Sequence, residues 1–154
     1  MTSPSSSFDV FEMAMGMEKI GKDFYEALAL ASDDARVRQF CVVAAGDEAK
    51  HRVTFQYMRD QWAQTVKANR VTPEAAEGLA ALAKGRIQPD PKDVRKVAIG
   101  GNLADALNLA MHMEQDAINF YGELLGRMPD AAKAIQGIVD EEKRHLASLR
   151  VLAR

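Results

Sequence analysis

The chain has 154 residues, enough for one domain with a real hydrophobic core, and its 47% hydrophobic and 27% charged residues are ordinary for a soluble globular protein. A formal net charge of −2 without a basic stripe argues against nucleic acid as a partner. No run of roughly 18 uncharged apolar residues exists and Met1–Ser7 lacks the basic start and apolar run of a signal peptide, so no membrane span is expected and a cytoplasmic protein is the simplest reading.

Residues 1–7 are small and polar and are expected to form a frayed tail, leaving residues 8–154 as a single domain. From Phe8 to about Ala31 the pattern is helical, with Phe11, Met15, Ile20, Phe24 and Leu28 on a broad apolar stripe. Ser32-Asp33-Asp34 breaks that helix and offers an N-cap to the next, which runs to about Lys67 and carries Phe40, Val43, Ala44, Phe55 and Met58. Cys41 is the only cysteine, which excludes an internal disulfide or a Cys-x-x-Cys knuckle; its neighbours Phe40, Val42 and Val43 point to a buried, inert thiol.

Residues 69–101 read differently. Thr72-Pro73 starts one short helix, and Gly85, Pro89, Pro91 and Gly100-Gly101 punctuate the rest. Asn102 opens a third long helix to about Arg127, Met128-Pro129-Asp130 is a turn, and a fourth helix fills about 130–153. The fold class is all-α: four long helices joined short, long, short, a bundle whose 69–101 crossover lets the second and third helices lie parallel.

The two halves repeat. Ala14-Met15-x-Met17-Glu18 with Phe24-Tyr25 returns as Ala110-Met111-x-Met113-Glu114 with Phe120-Tyr121, and Asp47-Glu48-x-x-His51 on the second helix returns as Glu141-Glu142-x-x-His145 on the fourth. Each half is a hairpin of a glutamate helix and a Glu-x-x-His helix, and two such hairpins packed about a pseudo-twofold axis bring four motifs to one centre.

Residues three apart lie on one helix face, so Glu48 with His51, and Glu142 with His145, can approach one metal region. Glu18 and Glu114 come from the other two helices. A glutamate from each of two helices plus Glu-x-x-His from each of the others is the ligand set of di-iron and di-manganese carboxylate proteins. Four ionised glutamates in an apolar core would each lose hydration at a cost of several kcal/mol, and two divalent ions cancel four charges. Oxygen-rich ligation with some imidazole suits iron or manganese over copper, with zinc as an alternative. Composition alone puts Glu three residues before two of the three histidines about one time in eighty, and the matching Met-Glu frames make coincidence rarer still.

On Glu18, Glu48-x-x-His51, Glu114 and Glu142-x-x-His145 the sequence resembles the rubrerythrin branch of the ferritin-like superfamily, over nearly its whole length. The resemblance implies two iron ions bridged by Glu48 and Glu142, with Glu18, Glu114, His51 and His145 as terminal ligands and the four glutamates as the catalytic set. It implies reduction of hydrogen peroxide or dioxygen, with ferroxidase activity, iron binding or storage as the alternative and a homodimer as the assembly. Full rubrerythrins add a four-cysteine rubredoxin domain. With one cysteine here, the electron donor is expected to be a separate protein. The family also places an extra glutamate three residues after the third-helix ligand; this chain has Ala117 there.

Around the ligands, Gly21 and Ala117 are equivalent in the repeat and either leave room beside the metals or let helices pack closely. Tyr25 and Tyr121 lie two turns after Glu18 and Glu114 and either hydrogen-bond a ligand carboxylate, relay an electron, or are ordinary core tyrosines. Asp47 and Glu141 either orient His145 and His51 across the pseudo-twofold or are solvated acids. His112 is turned away from Glu114 and is read as a non-ligand. Met15, Met17, Met111 and Met113 are read as core filler. A metal-free helical interaction module is the remaining class of function.

Overall fold

Six α-helices and one 3₁₀ turn make up residues 6–154, which the computed structural model describes, with no strand among them. The long helices are α1 (Asp9–Ala31), α2 (Ala35–Lys67), α5 (Leu103–Arg127) and α6 (Ala132–Leu152); α3 (Pro73–Ala83) and α4 (Pro91–Ile99) lie in the crossover, and Pro129–Ala131 is the 3₁₀ turn.

Capping chemistry sets most of the starts. Asp34 accepts the Arg36 and Val37 N–H groups, Thr72 accepts from Ala75, and Asn102 accepts from Asp105. The crossover holds two short helices where the sequence pattern predicts one. Pro91, read as punctuation, is the first residue of α4, and Asp90 before it accepts the Lys92 N–H. A proline at the first helical position begins a helix as readily as another proline ends one, because its missing N–H has no intrahelical partner there. Of the tail expected over 1–7, residues 1–5 lie outside the described residues. Ser6 and Ser7 are tied down: Ser6 N–H donates to Asp9 Oδ2 at 2.8 Å, and Trp62 Nε1 donates to Ser7 Oγ at 2.9 Å.

α1 and α2, joined by a three-residue turn, form one hairpin; α5 and α6 form the other. The cross-links between hairpins give their directions. Tyr25 reaches Glu114 while Tyr121 reaches Glu18, so α1 and α5 are antiparallel; His51 faces Glu141 while His145 faces Asp47, so α2 and α6 are antiparallel. With short turns inside each hairpin, α2 and α5 therefore run parallel, as the long crossover allows.

The interior divides into two apolar cores. One holds Phe11, Phe55, Leu79, Phe120, Leu124 and Ile135; the other holds Phe24, Leu28, Val37, Val94, Leu107 and Leu149. The crossover runs along the α1–α5 side, where α3 closes the first core with Leu79 and α4 closes the second with Val94. The segment between α3 and α4 must then pass over the layer that separates the cores.

Cys41 is fully buried, but Val42 and Val43 are 65% and 59% exposed. A helix turns about 100° per residue, so neighbours of a buried position need not be buried. With Leu30, Val53 and Tyr57 they leave an apolar outer face on the α1–α2 hairpin.

Leu79 is fully buried although it belongs to the crossover. Leu79→Ala is expected to destabilise the fold by about 2–5 kcal/mol in urea unfolding; a loss under about 0.5 kcal/mol, the range of surface changes, would show that the crossover is not part of the core.

Candidate metal centre

Between the two apolar cores lie six buried polar or charged residues, Glu18, Glu48, His51, Glu114, Glu142 and His145. Each long helix delivers its share by register. α1 and α5 each turn one glutamate inward, and α2 and α6 each turn a glutamate and the histidine three residues later.

The candidate ligand atoms fall into two groups, within each of which they lie no more than 4.8 Å from one another: Glu18, Glu48, His51 and Glu142 in one, Glu48, Glu114, Glu142 and His145 in the other. Glu48 and Glu142 belong to both, so each can offer one oxygen to either side. Both imidazoles turn Nδ1 inward. His51 Nδ1 is 2.7 Å from Glu142 Oε1 and 3.5 Å from Glu18 Oε2; His145 Nδ1 is 3.2 Å from Glu48 Oε1 and 3.4 Å from Glu114 Oε1. The 2.7 Å approach lacks hydrogen-bond geometry, and one buried atom from every one of the six residues has no hydrogen-bond partner: Glu18 Oε2, Glu48 Oε1, His51 Nδ1, Glu114 Oε2, Glu142 Oε1 and His145 Nδ1. Buried polar atoms in native proteins are nearly always partnered. Six that converge, all of them oxygen or imidazole nitrogen, fit a pair of divalent ions of the iron, manganese or zinc type.

The surrounding residues hold these groups in place. Tyr25 donates to Glu114 Oε1 at 2.5 Å and Tyr121 to Glu18 Oε1 at 2.6 Å, so each tyrosine serves the opposite half of the repeat. His51 Nε2 lies 2.5 Å from Glu141 Oε2, and His145 Nε2 lies 3.0 Å from Asp47 Oδ2. A carboxylate on the outer nitrogen orients an imidazole and makes its inner nitrogen a better ligand. His112 is exposed, away from this layer.

A cavity of 60 Å³ opens against the four glutamates, with Gly21 and Ala117 in its wall. A Cβ added at Gly21 would sit 3.5 Å from Glu48 Oε2, an ordinary contact, so the small residue there leaves space beside the carboxylate. Met17 and Met113 also line the cavity. Each also packs against one of the two apolar cores, as core filler should, and its place directly before Glu18 or Glu114 in the repeated frame brings it to the cavity. Phe40, which the sequence marks only as an apolar residue of α2 beside Cys41, also reaches the site. Its ring stands edge-on to Tyr25 at 5.6 Å and to His145 at 6.0 Å, and the equivalent position on α6 is Ala134.

Burial first, and then neighbouring carboxylates, push Glu18, Glu48 and Glu114 well above the ordinary carboxylate range. Burial would raise Glu142 too, but its contacts with Glu114, His145 and His51 hold it below that range. Burial disfavours the charged form of His51, yet Glu142 beside it raises the imidazole to about 9; His145 is raised likewise by Glu114, Glu142 and Glu48. Burial keeps both tyrosines protonated and hence hydrogen-bond donors. Protons thus do in the metal-free layer what cations would otherwise do.

A model of the rubrerythrin family matches residues 9–153. Among solved structures, the chain is similar to a crystal structure from Thermotoga maritima described as a ferritin-like diiron-carboxylate protein, with a TM-score of 0.76 and 24% identity over 100% of this chain and 98% of that one. At that identity the likeness establishes the fold. No curated protein matches the chain.

Groups raised above their unfolded values stabilise a fold below the unfolded pKa, and that contribution is lost as pH rises through the folded value. For His51 the window runs from 6.5 to about 9. The metal-free protein is therefore expected to melt at a lower temperature at pH 9 than at pH 6.5, by about 3 °C for each kcal/mol lost. Saturation with manganous ion should remove most of that difference, because metal displaces the protons. An identical pH dependence with and without metal would separate the raised groups from metal binding.

Proposed function

The chain belongs to the rubrerythrin family, and from that premise we propose that it is a di-iron protein that reduces hydrogen peroxide or dioxygen with electrons from a separate donor protein. The observation that carries the reading is the convergence of one unpartnered buried atom from each of six residues, with Glu48 and Glu142 shared between the two groups. In this reading Glu18 and His51 would hold one ion, Glu114 and His145 the other, and Glu48 and Glu142 would serve both; bound iron would supply one-electron redox chemistry at each position.

The chain's own groups do the rest. Tyr25 and Tyr121 keep Glu114 and Glu18 in register through hydrogen bonds that do not depend on the metal. Glu141 and Asp47 set the imidazole rings. The 60 Å³ cavity admits a molecule of a few atoms beside the four glutamates. Cys41 is no reductant: it is fully buried, and burial pushes its thiol up to about 12, so the nucleophilic thiolate does not form. Sustained turnover needs electrons from outside.

Metal content after anaerobic ferrous loading, followed by optical spectra and peroxide consumption, tests the reading. About two irons per chain and loss of peroxide with added reductant are expected. Glu48→Ala and Glu142→Ala should each abolish stoichiometric binding of both ions, because each removes a ligand that both ions share. Two irons that react with dioxygen but leave peroxide untouched would move the function to ferroxidase or iron storage. No iron uptake would leave only a helical scaffold.

The apolar outer face of the α1–α2 hairpin supports the expected homodimer. Val42→Glu combined with Val53→Glu should convert a dimer to monomer in light scattering without changing metal content. A wild-type monomer, or a dimer that survives both charges, would remove that assignment.

A further inference from the structure

The cavity beside the glutamates is walled by the bundle helices except at one point, where Pro89 of the crossover lines it. Most of the lining is buried; Pro89 and Asp116 are its two exposed residues and stand on its outer side, where the cavity has its mouth. Pro89 is there because α3 closes one core and α4 the other, and residues 84–90 must cross the layer between.

That crossing segment is pinned on both sides of the mouth. On the α5 side, Arg86 donates to Glu123 Oε2 at 2.8 Å and lies 4.5 Å over the Phe120 ring. On the α1 side, Gln88 Nε2 donates to Met13 O at 2.9 Å and sits 3.1 Å from Met13 Sδ. The Gln88 amide rests directly on Gly16. A Cβ at position 16 would meet Gln88 Nε2 at 2.5 Å and Oε1 at 2.7 Å, closer than any real side chain allows.

Gly16 is also where the internal repeat departs from itself. The frame Ala-Met-x-Met-Glu has Gly16 in its α1 copy and His112 in its α5 copy, and His112 is exposed. A glycine inside a helix costs about 1 kcal/mol relative to alanine. The α1 copy has one for a visible reason: it is the seat for Gln88, and the crossover has no counterpart on the other copy.

We propose that Gln88, seated on Gly16, is a latch that holds Pro89 across the mouth of the cavity and thereby limits entry to molecules the size of peroxide or dioxygen, excluding bulkier organic peroxides. This deepens the proposed function and rests on it for the identity of the oxidant, but the latch itself can be tested in protein without metal.

Ala117→Cys places a thiol in the cavity wall, and the parent chain, whose Cys41 is buried, is the blank. The readout is the ratio of labelling rates for a bulky polyethylene glycol maleimide and for methyl methanethiosulfonate; the ratio cancels any change in thiol reactivity. Gln88→Ala in this background should raise the ratio about tenfold, the change expected for losing one interaction of about 1.4 kcal/mol. Gly16→Ala should raise it as much, because the methyl evicts the glutamine, and should not lower the melting temperature, because alanine favours the helix. The double variant should show no further gain, since both changes release one latch. A ratio unchanged in both single variants overturns the proposal. So does equal acceleration of the small and bulky reagents, which would signal general opening of the bundle. In iron-loaded protein with native Ala117, Gln88→Ala should raise the rate with cumene hydroperoxide relative to hydrogen peroxide; an unchanged relative rate overturns the claim of selection. Failure to take up iron would sink the redox reading while leaving the labelling result standing.

Discussion

Four carboxyl groups and two imidazoles share one buried layer, with apolar cores on both sides of it. Bringing an ionised carboxylate into such surroundings costs several kcal/mol per group, so the layer must be neutralised from within. Protons can do this, and the upward shifts of Glu18, Glu48 and Glu114 with protonated His51 and His145 are how they do it. Divalent ions can do it better, because on displacing those protons they also partner the six buried oxygen and nitrogen atoms that hydrogen bonds leave unsatisfied. The division of the hydrophobic interior into two cores follows from this layer, as does the need for tyrosines and outer acids to hold its members still.

The internal repeat makes that neutralisation symmetric. Tyr25 and Tyr121 bond the glutamate of the opposite half, and Asp47 and Glu141 face the histidine of the opposite half. Each half-site is therefore completed by the other, and neither hairpin could hold a pair of ions alone. Polar cross-links of this kind also fix the register of the two hairpins, which the apolar contacts above and below, being non-directional, would specify less sharply.

The crossover breaks the symmetry. It lies along the α1–α5 side only, and the two halves diverge where it does: Gly16 stands against His112 in the repeat, and Gln88 occupies the space. The α2–α6 side has its own asymmetry, since Phe40 shields His145 while the equivalent Ala134 leaves no ring over His51. The symmetric residues belong to the layer of glutamates and histidines, and the asymmetric ones lie where that layer meets its surroundings.

Much of this was legible in the sequence because it depends on local rules. Helical periodicity gave the four long spans, Asp34, Thr72 and Asn102 announced three of the helix starts, and the three-residue spacing of Glu48 with His51 and of Glu142 with His145 put each pair on one face. The same six residues that the repeat marks are the ones the fold brings together. Other features needed coordinates. Pro91 reads alike whether it ends one segment or begins α4. Val42 and Val43 look like core until the direction of α2's apolar face is known. Nothing in the composition of residues 84–90 says that Gln88 will rest on Gly16. Periodicity and capping act over a few residues along the chain, and a sequence displays them directly. The closure of the cavity, the exposed face and the seat for Gln88 depend on which distant segments share space, and only the packed tertiary structure decides that.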